Sequence, residues 1–250
     1  MRVCVQGLWH LGSVTAGCLA SLGHDVTGFD FDSQTIANLQ KGTLPVSEPG
    51  LKALIEDGVT KGNLRFTENV RDAVSDVQVL WVTYDTPVDD DDQANVSFVL
   101  QEIRKTLPLL EDNTIILVSS QLPVGSIRQL EEIALKECPD KNISFCCSPE
   151  NLRLGKALGV FLHPDRVIMG VRHEEARDVL CELFEGITEN IVWMSVESAE
   201  MTKHAINAFL GMSVTFINEI AAICENVGAD AREVEAGLKT EKRIGSDAYL

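Results

Sequence analysis

The feature that most constrains this chain is an alternation. Short β-rich apolar runs are separated by stretches of helical periodicity through about the first 195 of its 250 residues. Strands are predicted over residues 2–6, 25–30, 64–67, 77–83, 114–120, 143–148, 166–171 and 190–195. Two of these, Val77-Gln-Val-Leu-Trp-Val-Thr83 and Thr114-Ile-Ile-Leu-Val-Ser119, are apolar almost throughout. A strand with one wet face alternates polar and apolar residues. A continuous apolar run therefore implies helices on both faces, as in parallel sheets. Helices are predicted over 97–110, with Ser97 as N-cap, and over 126–136, introduced by Pro123-Val-Gly125. The pattern predicts an α/β fold built on a doubly wound parallel sheet.

The regime changes after residue 195. From Glu197 to about Val227 the apolar residues Met201, Ala205, Ala208, Phe209, Met212, Phe216, Ile220 and Ile223 recur at helical spacing, with Gly211 the one interior weak point. A helix of that length exceeds most globular ones and links domains or packs on a partner. Gly228-Ala-Asp230 then caps a shorter helix. The expected organisation is a sheet domain over 1–195 and a helical region over 196–250.

Composition decides among classes of partner. With 21 basic and 38 acidic residues the formal charge is −17, which repels phosphate backbones and anionic lipid, so neither nucleic acid nor a membrane surface is expected. No unbroken apolar run approaches the ~18 residues of a membrane span, and the first strand begins at residue 2, so spanning and secretion are disfavoured. The seven cysteines (4, 18, 138, 146, 147, 181 and 224) are odd in number and lack C-x-x-C spacing. That predicts reduced thiols, a cytoplasmic setting and no structural metal.

Gly7-Leu-Trp-His-Leu-Gly12 follows the first strand and opens a helix running to about Leu22. Phosphates meet free backbone N–H groups and a positive helix end at such a turn, and the unit reads as Rossmann-like. Asp30 closes the second strand, where a carboxylate accepts hydrogen bonds from an adenosine ribose and repels a 2′-phosphate, which favours NAD over NADP. Trp9, however, takes the place of the middle glycine that allows close approach to a pyrophosphate. Two readings remain open: an NAD turn that tolerates the indole, and a Rossmann-like turn that no longer binds nucleotide.

An ordered series of further motifs runs through the chain: Glu48-Pro-Gly50, Thr86-Pro87, Ser120-Gln-Leu-Pro-Val-Gly-Ser126, Ser148-Pro-Glu-Asn-Leu-Arg-Leu-Gly155, Pro164-Asp-Arg166, Glu200-Met-Thr-Lys-His-Ala-Ile-Asn207, Phe216-Ile-Asn-Glu219 and Arg243-Ile-Gly245. Together with the phosphate turn and Asp30 this resembles the UDP-glucose/GDP-mannose dehydrogenase family, over the whole chain. The resemblance implies an N-terminal Rossmann-like domain, a long central helix used for homodimerisation, and a C-terminal domain that grips the nucleotide. It implies oxidation of a nucleotide-sugar C6 alcohol to a uronate in two NAD-linked steps through an enzyme thioester. By the same resemblance Gly7, His10, Leu11, Gly12, Asp30, Thr86 and Ser120 hold NAD. Glu150 assists attack of water on the thioester, with Gln121 where the family has threonine near that water. Lys203 and Asn207 serve the sugar, and Leu152, Arg153 and Arg243 contact the substrate.

Other roles suit several of these residues. Thr86-Pro87 can also be read as a strand-ending turn, Ser120 as the start of a helix, and Glu150 as a loop acid. A carboxylate in a partly dry cleft has a raised pKa and makes a general base. Lys203 and Asn207, four apart, share a helix face. Trp9, Gln121, Asn151 and Leu154 depart from the family pattern. The family's Gly-Gly-x-Cys-x-x-Lys-Asp segment, which carries the nucleophilic cysteine, would fall beyond Leu250. This chain alone is therefore expected not to complete the oxidation, since the covalent route has no carrier. The alternatives are a non-oxidising member that binds nucleotide-sugar, and a two-electron or epimerising one that needs no thioester.

Overall fold

Why the apolar runs sit where they do is plain from the sheet they build. The computed structural model describes residues 1–91, 93–150 and 152–250. Its strands are β1 (Arg2–Gln6), β2 (Asp25–Phe29), β3 (Leu64–Thr67), β4 (Val79–Val82), β5 (Ile115–Val118), β6 (Ser144–Cys147), β7 (Val167–Gly170) and β8 (Ile191–Met194). Each falls inside its predicted run, most of them trimmed by a residue or two at the ends. They form one sheet in the order β3-β2-β1-β4-β5-β6-β7-β8. Cys4 of β1 lies in register with Thr27 of β2 on one side and Leu80 of β4 on the other, all parallel. The chain winds outward from β1 to β3, then returns to place β4 on the opposite side. The carboxyl ends of β1 and β4 therefore flank the crevice where open α/β sheets bind ligands.

The sheet is not parallel throughout. β6 and β7 are antiparallel, joined at Cys147 and Gly170, while β7 and β8 run parallel to each other. An antiparallel neighbour needs no crossover to the far end of the sheet. The residues between β6 and β7 thus leave and rejoin the sheet at its carboxyl rim. They include the short helix α7 (Ala157–Leu162).

Helix α1 (His10–Ser21) is buried on all sides from Leu11 to Ala20. It lies close against α3 (Leu51–Lys61), where a Cβ on Gly17 would stand 3.2 Å from Leu51. The other helices of this part are α2 (Ser33–Gln40), α4 (Val70–Val74), α5 (Val96–Thr106), α6 (Ser126–Glu137) and α8 (Glu175–Leu183). The predicted cap of α5 moves two residues. Asn95 Oδ1 accepts the Phe98 N–H and also the Ser97 hydroxyl, which places Ser97 inside the helix. The predicted end at 110 becomes a separate 3₁₀ turn over Leu107–Leu109 containing Pro108. Asp89, Asp90 and Asp91 are exposed and Asp89 folds its own turn by accepting the Asp91 and Gln93 N–H groups. The fourth aspartate of that run, Asp92, lies outside the described residues.

The chain divides into two compact units, residues 1–201 and 202–250, and α9 (Val196–Val227) begins in the first and runs through the second. In the first unit the start of α9 caps α6, whose N-cap Gly125 has no side chain to offer. Glu200 accepts the Gly125 N–H at 2.7 Å and the Ile127 N–H at 3.0 Å. Arg172 reaches Glu197 of α9 and Glu131 of α6, and Arg128 adds a second bond to Glu197. In the second unit Met212, Phe216 and Ile223 are exposed along α9. Asp230 caps α10 (Ala231–Thr240) through the Arg232 N–H, as the Gly-Ala-Asp signal predicts. Although no unbroken apolar run occurs, α9 is long and apolar enough, by length and composition alone, to cross a membrane.

Candidate active site

The phosphate turn is built on two obligatory glycines. Gly7 has φ +98° and its N–H bonds to the Phe29 carbonyl; a Cβ there would come within 2.7 Å of the Tyr84 ring. A Cβ on Gly12 would lie 1.8 Å from the Gly7 carbonyl oxygen. Trp9 between them has φ −77°, on the negative side open to any L-residue, so the position does not require a glycine's left-handed backbone. It is 54% exposed and makes no capping bond. The first bond of α1 runs from the Ser13 N–H to the Trp9 carbonyl. The N–H groups of His10, Leu11 and Gly12 therefore stand at the helix mouth without an intrahelical acceptor.

Asp30 closes this turn from below. Its Oδ2 accepts the Leu8 N–H at 2.8 Å and its Oδ1 accepts the Asp32 N–H at 3.0 Å. Burial pushes its pKa above the ordinary value, and those two N–H groups pull against the shift. Each oxygen keeps a lone pair that a hydroxyl donor can use.

At the carboxyl rim a cleft of about 280 Å³ brings Leu11, Thr86, Ser120, Gln121 and Glu150 together, all five singled out by sequence. Thr86 donates its hydroxyl to the Gln121 carbonyl at 2.6 Å, which links the ends of β4 and β5. The Ser120 hydroxyl is buried and has no hydrogen-bond partner among the described residues. Glu150 accepts the Leu152 N–H at 2.6 Å. A narrower cavity of about 80 Å³ shares Leu11, Ser119 and Glu150 and extends to Trp81, Leu152 and Phe161. There the Trp81 indole donates to Ser119 Oγ, which donates to the Ser148 carbonyl, tying β4, β5 and the end of β6.

Sequence reasoning missed two carboxylates. Asp85 lines the cleft, where loss of surrounding water and the negative Glu150 raise its pKa against the opposing influence of His10. Glu48, visible only as a motif member, is buried against His10. No periodicity marks an acid in a loop, so only its position after a β-strand (Asp85) or inside a Glu-Pro-Gly turn (Glu48) offered a signal. His10, which the resemblance placed at the cofactor turn, thus has Glu48 as a side-chain partner.

Of the other predicted residues in the first unit, Leu152 lines the narrower cavity. Arg153 and Leu154 are exposed, and Asn151 lies outside the described residues. Lys203 and Asn207 lie on α9, half-buried and exposed, and Arg243 is exposed beyond α10, paired with Glu241. These three belong to the second unit. None of the seven cysteines lines the cleft. Six are buried; burial pushes the thiols of Cys18 and Cys146 up to about 12 and those of Cys4 and Cys147 higher still.

A parallel sheet with its crevice at the switch point, a glycine turn opening a helix with unclaimed N–H groups, and an acid at the second strand define a dinucleotide-binding α/β protein. The residues fit such a ligand, with the partnerless Ser120 hydroxyl as the independent sign. The sequence matches the UDP-glucose/GDP-mannose dehydrogenase family NAD binding domain over residues 1–188 and that family's central domain over 197–250. The chain belongs to this family and carries its NAD-binding domain. It is 36% identical over 252 residues to the UDP-glucose 6-dehydrogenase of Rhizobium meliloti, covering 98% of this chain and 58% of that protein. Among solved structures, a ternary complex of GDP-mannose dehydrogenase from Pseudomonas aeruginosa superposes with a TM-score of 0.88 at 29% identity, covering 96% of this chain and 57% of that one. The UDP-glucose dehydrogenase of Pyrobaculum islandicum gives 0.91 at 28% identity, covering 99% and 58%. The chain thus spans somewhat over half the length of each of these three relatives.

Proposed function

We propose that this chain carries the NAD-binding and central portions of an NAD-dependent nucleotide-sugar 6-dehydrogenase. The observation behind this reading is the rim cleft that gathers Leu11, Thr86, Ser120, Gln121 and Glu150 at the mouth of α1. Bound NAD supplies the acceptor for the hydride that leaves the sugar C6 carbon. The N–H groups of His10, Leu11 and Gly12 take the pyrophosphate, with Gly7 shaping the turn, and Asp30 takes ribose hydroxyls through its remaining lone pairs. The Ser120 hydroxyl is satisfied by the cofactor. Because the Thr86 proton is committed to Gln121, Thr86 meets the ligand as an acceptor.

Glu150 is the general base for water, and Gln121 orients that water. Asp85, whose pKa is raised by burial and by the negative Glu150, lines the same cleft. Leu152, Arg153 and Arg243 contact the nucleotide-sugar. Lys203 and Asn207, one turn apart on α9, stabilise negative charge on the substrate oxygen as the hydride leaves. The exposed apolar face of α9 supports a homodimer formed through that helix, and seven unpaired thiols support a reducing, cytoplasmic setting.

A second reading rests on Trp9, which stands exposed at the phosphate turn, and on Gln121 and Leu154, which depart from the family pattern. A two-electron or epimerising reaction, or binding alone, is compatible with these residues.

Calorimetric titration of NAD into this chain, with Trp9→Gly alongside, tests the core of the proposal. Binding by the parent in the micromolar range supports the dehydrogenase reading. Binding by the variant alone means that the indole closes the site and moves the choice to a non-oxidising role. Failure of both ends the NAD assignment for this chain.

A further inference from the structure

We propose that Glu48 is a positioning residue that couples the phosphate turn to the segment following Glu150, so that a dinucleotide at α1 is felt at the start of α7. The proposal rests on the NAD reading given above and names what transmits it.

Glu48 lies in the loop between α2 and α3, and its side chain is 1% exposed. One oxygen, Oε2, accepts the Gly155 N–H at 2.8 Å and faces His10 Nε2 at 3.0 Å. The other, Oε1, accepts the Ala157 N–H at 2.9 Å. Burial alone would lift its pKa. The Gly155 N–H, His10 and the Ala157 N–H outweigh that and hold it below the ordinary value, so the carboxylate is charged. The charge sits at two helix N-termini at once. Helix α7 has no side-chain cap of its own, since Lys156 at its N-cap position supplies none. Glu48 performs that role from 109 residues away. His10, at the other end, is the first residue of α1 and one of the three whose N–H groups stand at the helix mouth without an intrahelical acceptor.

The geometry leaves little slack. A carboxylate is planar and both oxygens are claimed, so a shift of the His10 ring rotates the plane and changes the bonds to Gly155 and Ala157. Those two residues lie in the same segment as Glu150, Leu152 and Arg153, a few residues further on. The charged groups acting near His10 are Glu48 and Asp85, and Asp85 in turn feels Glu150. Anion binding at the α1 mouth thus acts on a continuous row of polar groups from the turn to the substrate segment, which is the kind of physical contact coupling requires. A carboxylate that only capped α7 would hold Gly155 and Ala157 alike whatever happened at His10.

Amide hydrogen exchange distinguishes the two, measured on the whole chain free and saturated with NADH, with calorimetry confirming occupancy. In the parent NADH is expected to slow exchange at Gly155 and Ala157 by about tenfold. In His10→Phe, which keeps both Glu48 bonds to the α7 start, the free-state protection remains and the NADH-dependent slowing disappears. Glu48→Gln loses both, and Glu48→Asp recovers part of each. Equal slowing in the parent and His10→Phe overturns the coupling and leaves Glu48 a simple cap. So does bound NADH that leaves both amides unchanged in the parent. If calorimetry shows no NADH binding, the dinucleotide reading fails first and the coupling falls with it.

Discussion

Helices α1 and α9 are both rich in apolar residues, yet the molecule treats them in opposite ways. Helix α1 is 12 residues long and buried on every side, so tertiary packing fixes it. Helix α9 is 32 residues long and presents Phe209, Met212, Phe216 and Ile223 to solvent. Each helix contains glycine, but Gly12 is pressed against the Gly7 carbonyl whereas nothing lies within 4 Å of a Cβ on Gly211. One helix is specified by what surrounds it, and the other by its own length and hydrogen bonds.

The sharpest way to break this contrast is Gly12→Ala. With its Cβ 1.8 Å from a carbonyl oxygen, the variant is expected to lose at least ~3 kcal/mol in urea unfolding. A near-neutral result would show that the turn can open. Next, Leu19→Ala in the buried face of α1 should destabilise by ~2–5 kcal/mol. Met212→Ala on α9 should leave the unfolding midpoint of the first unit within ~0.5 kcal/mol. Equal effects would erase the distinction between the helices.

A smaller effect concerns the anchor of α9. Hydrogen bonds from Arg172, then Arg128, hold the Glu197 carboxyl down to about 2, against an ordinary 4.5. The folded state therefore binds fewer protons there than the unfolded chain. That stability is fully present above pH 4.5 and is lost as pH falls towards 2. Solvent screening keeps it below the effect of a core truncation. Acid titration followed by circular dichroism should show this loss, and Glu197→Gln should lower neutral-pH stability while flattening the acid limb. Smallest of all, Gly211→Ala should stabilise α9 by ~0.5–1 kcal/mol, read as a rise in the thermal midpoint.

How much of this was legible in the sequence follows the same division. Strands such as Val79–Val82 and Ile115–Val118 were readable because burial on both faces leaves no polar position to interrupt them. The α9 run and its Asp230 successor were readable because helical spacing and caps are local signals. The direction of β7 was not, because an apolar run reads the same whichever way its neighbour points. The α5 cap slipped because Asn95 and Ser97 are both capping residue types two positions apart, and only the Asn95 bond to Phe98 separates them. Five of the cleft residues were found through local motifs. Asp85 and Glu48 were not, because what makes them matter is a proximity to Glu150 and His10 that only the folded chain creates.

The distribution of thiols has a practical consequence. Of seven cysteines, Cys181 on α8 is the one that is exposed. A maleimide dye added to the native protein should mark a single address, without first deleting the other six. The sequence is thus already suited to labelling at one site by a fluorescent or spin probe, and the slow appearance of a second label would time the exposure of a buried thiol.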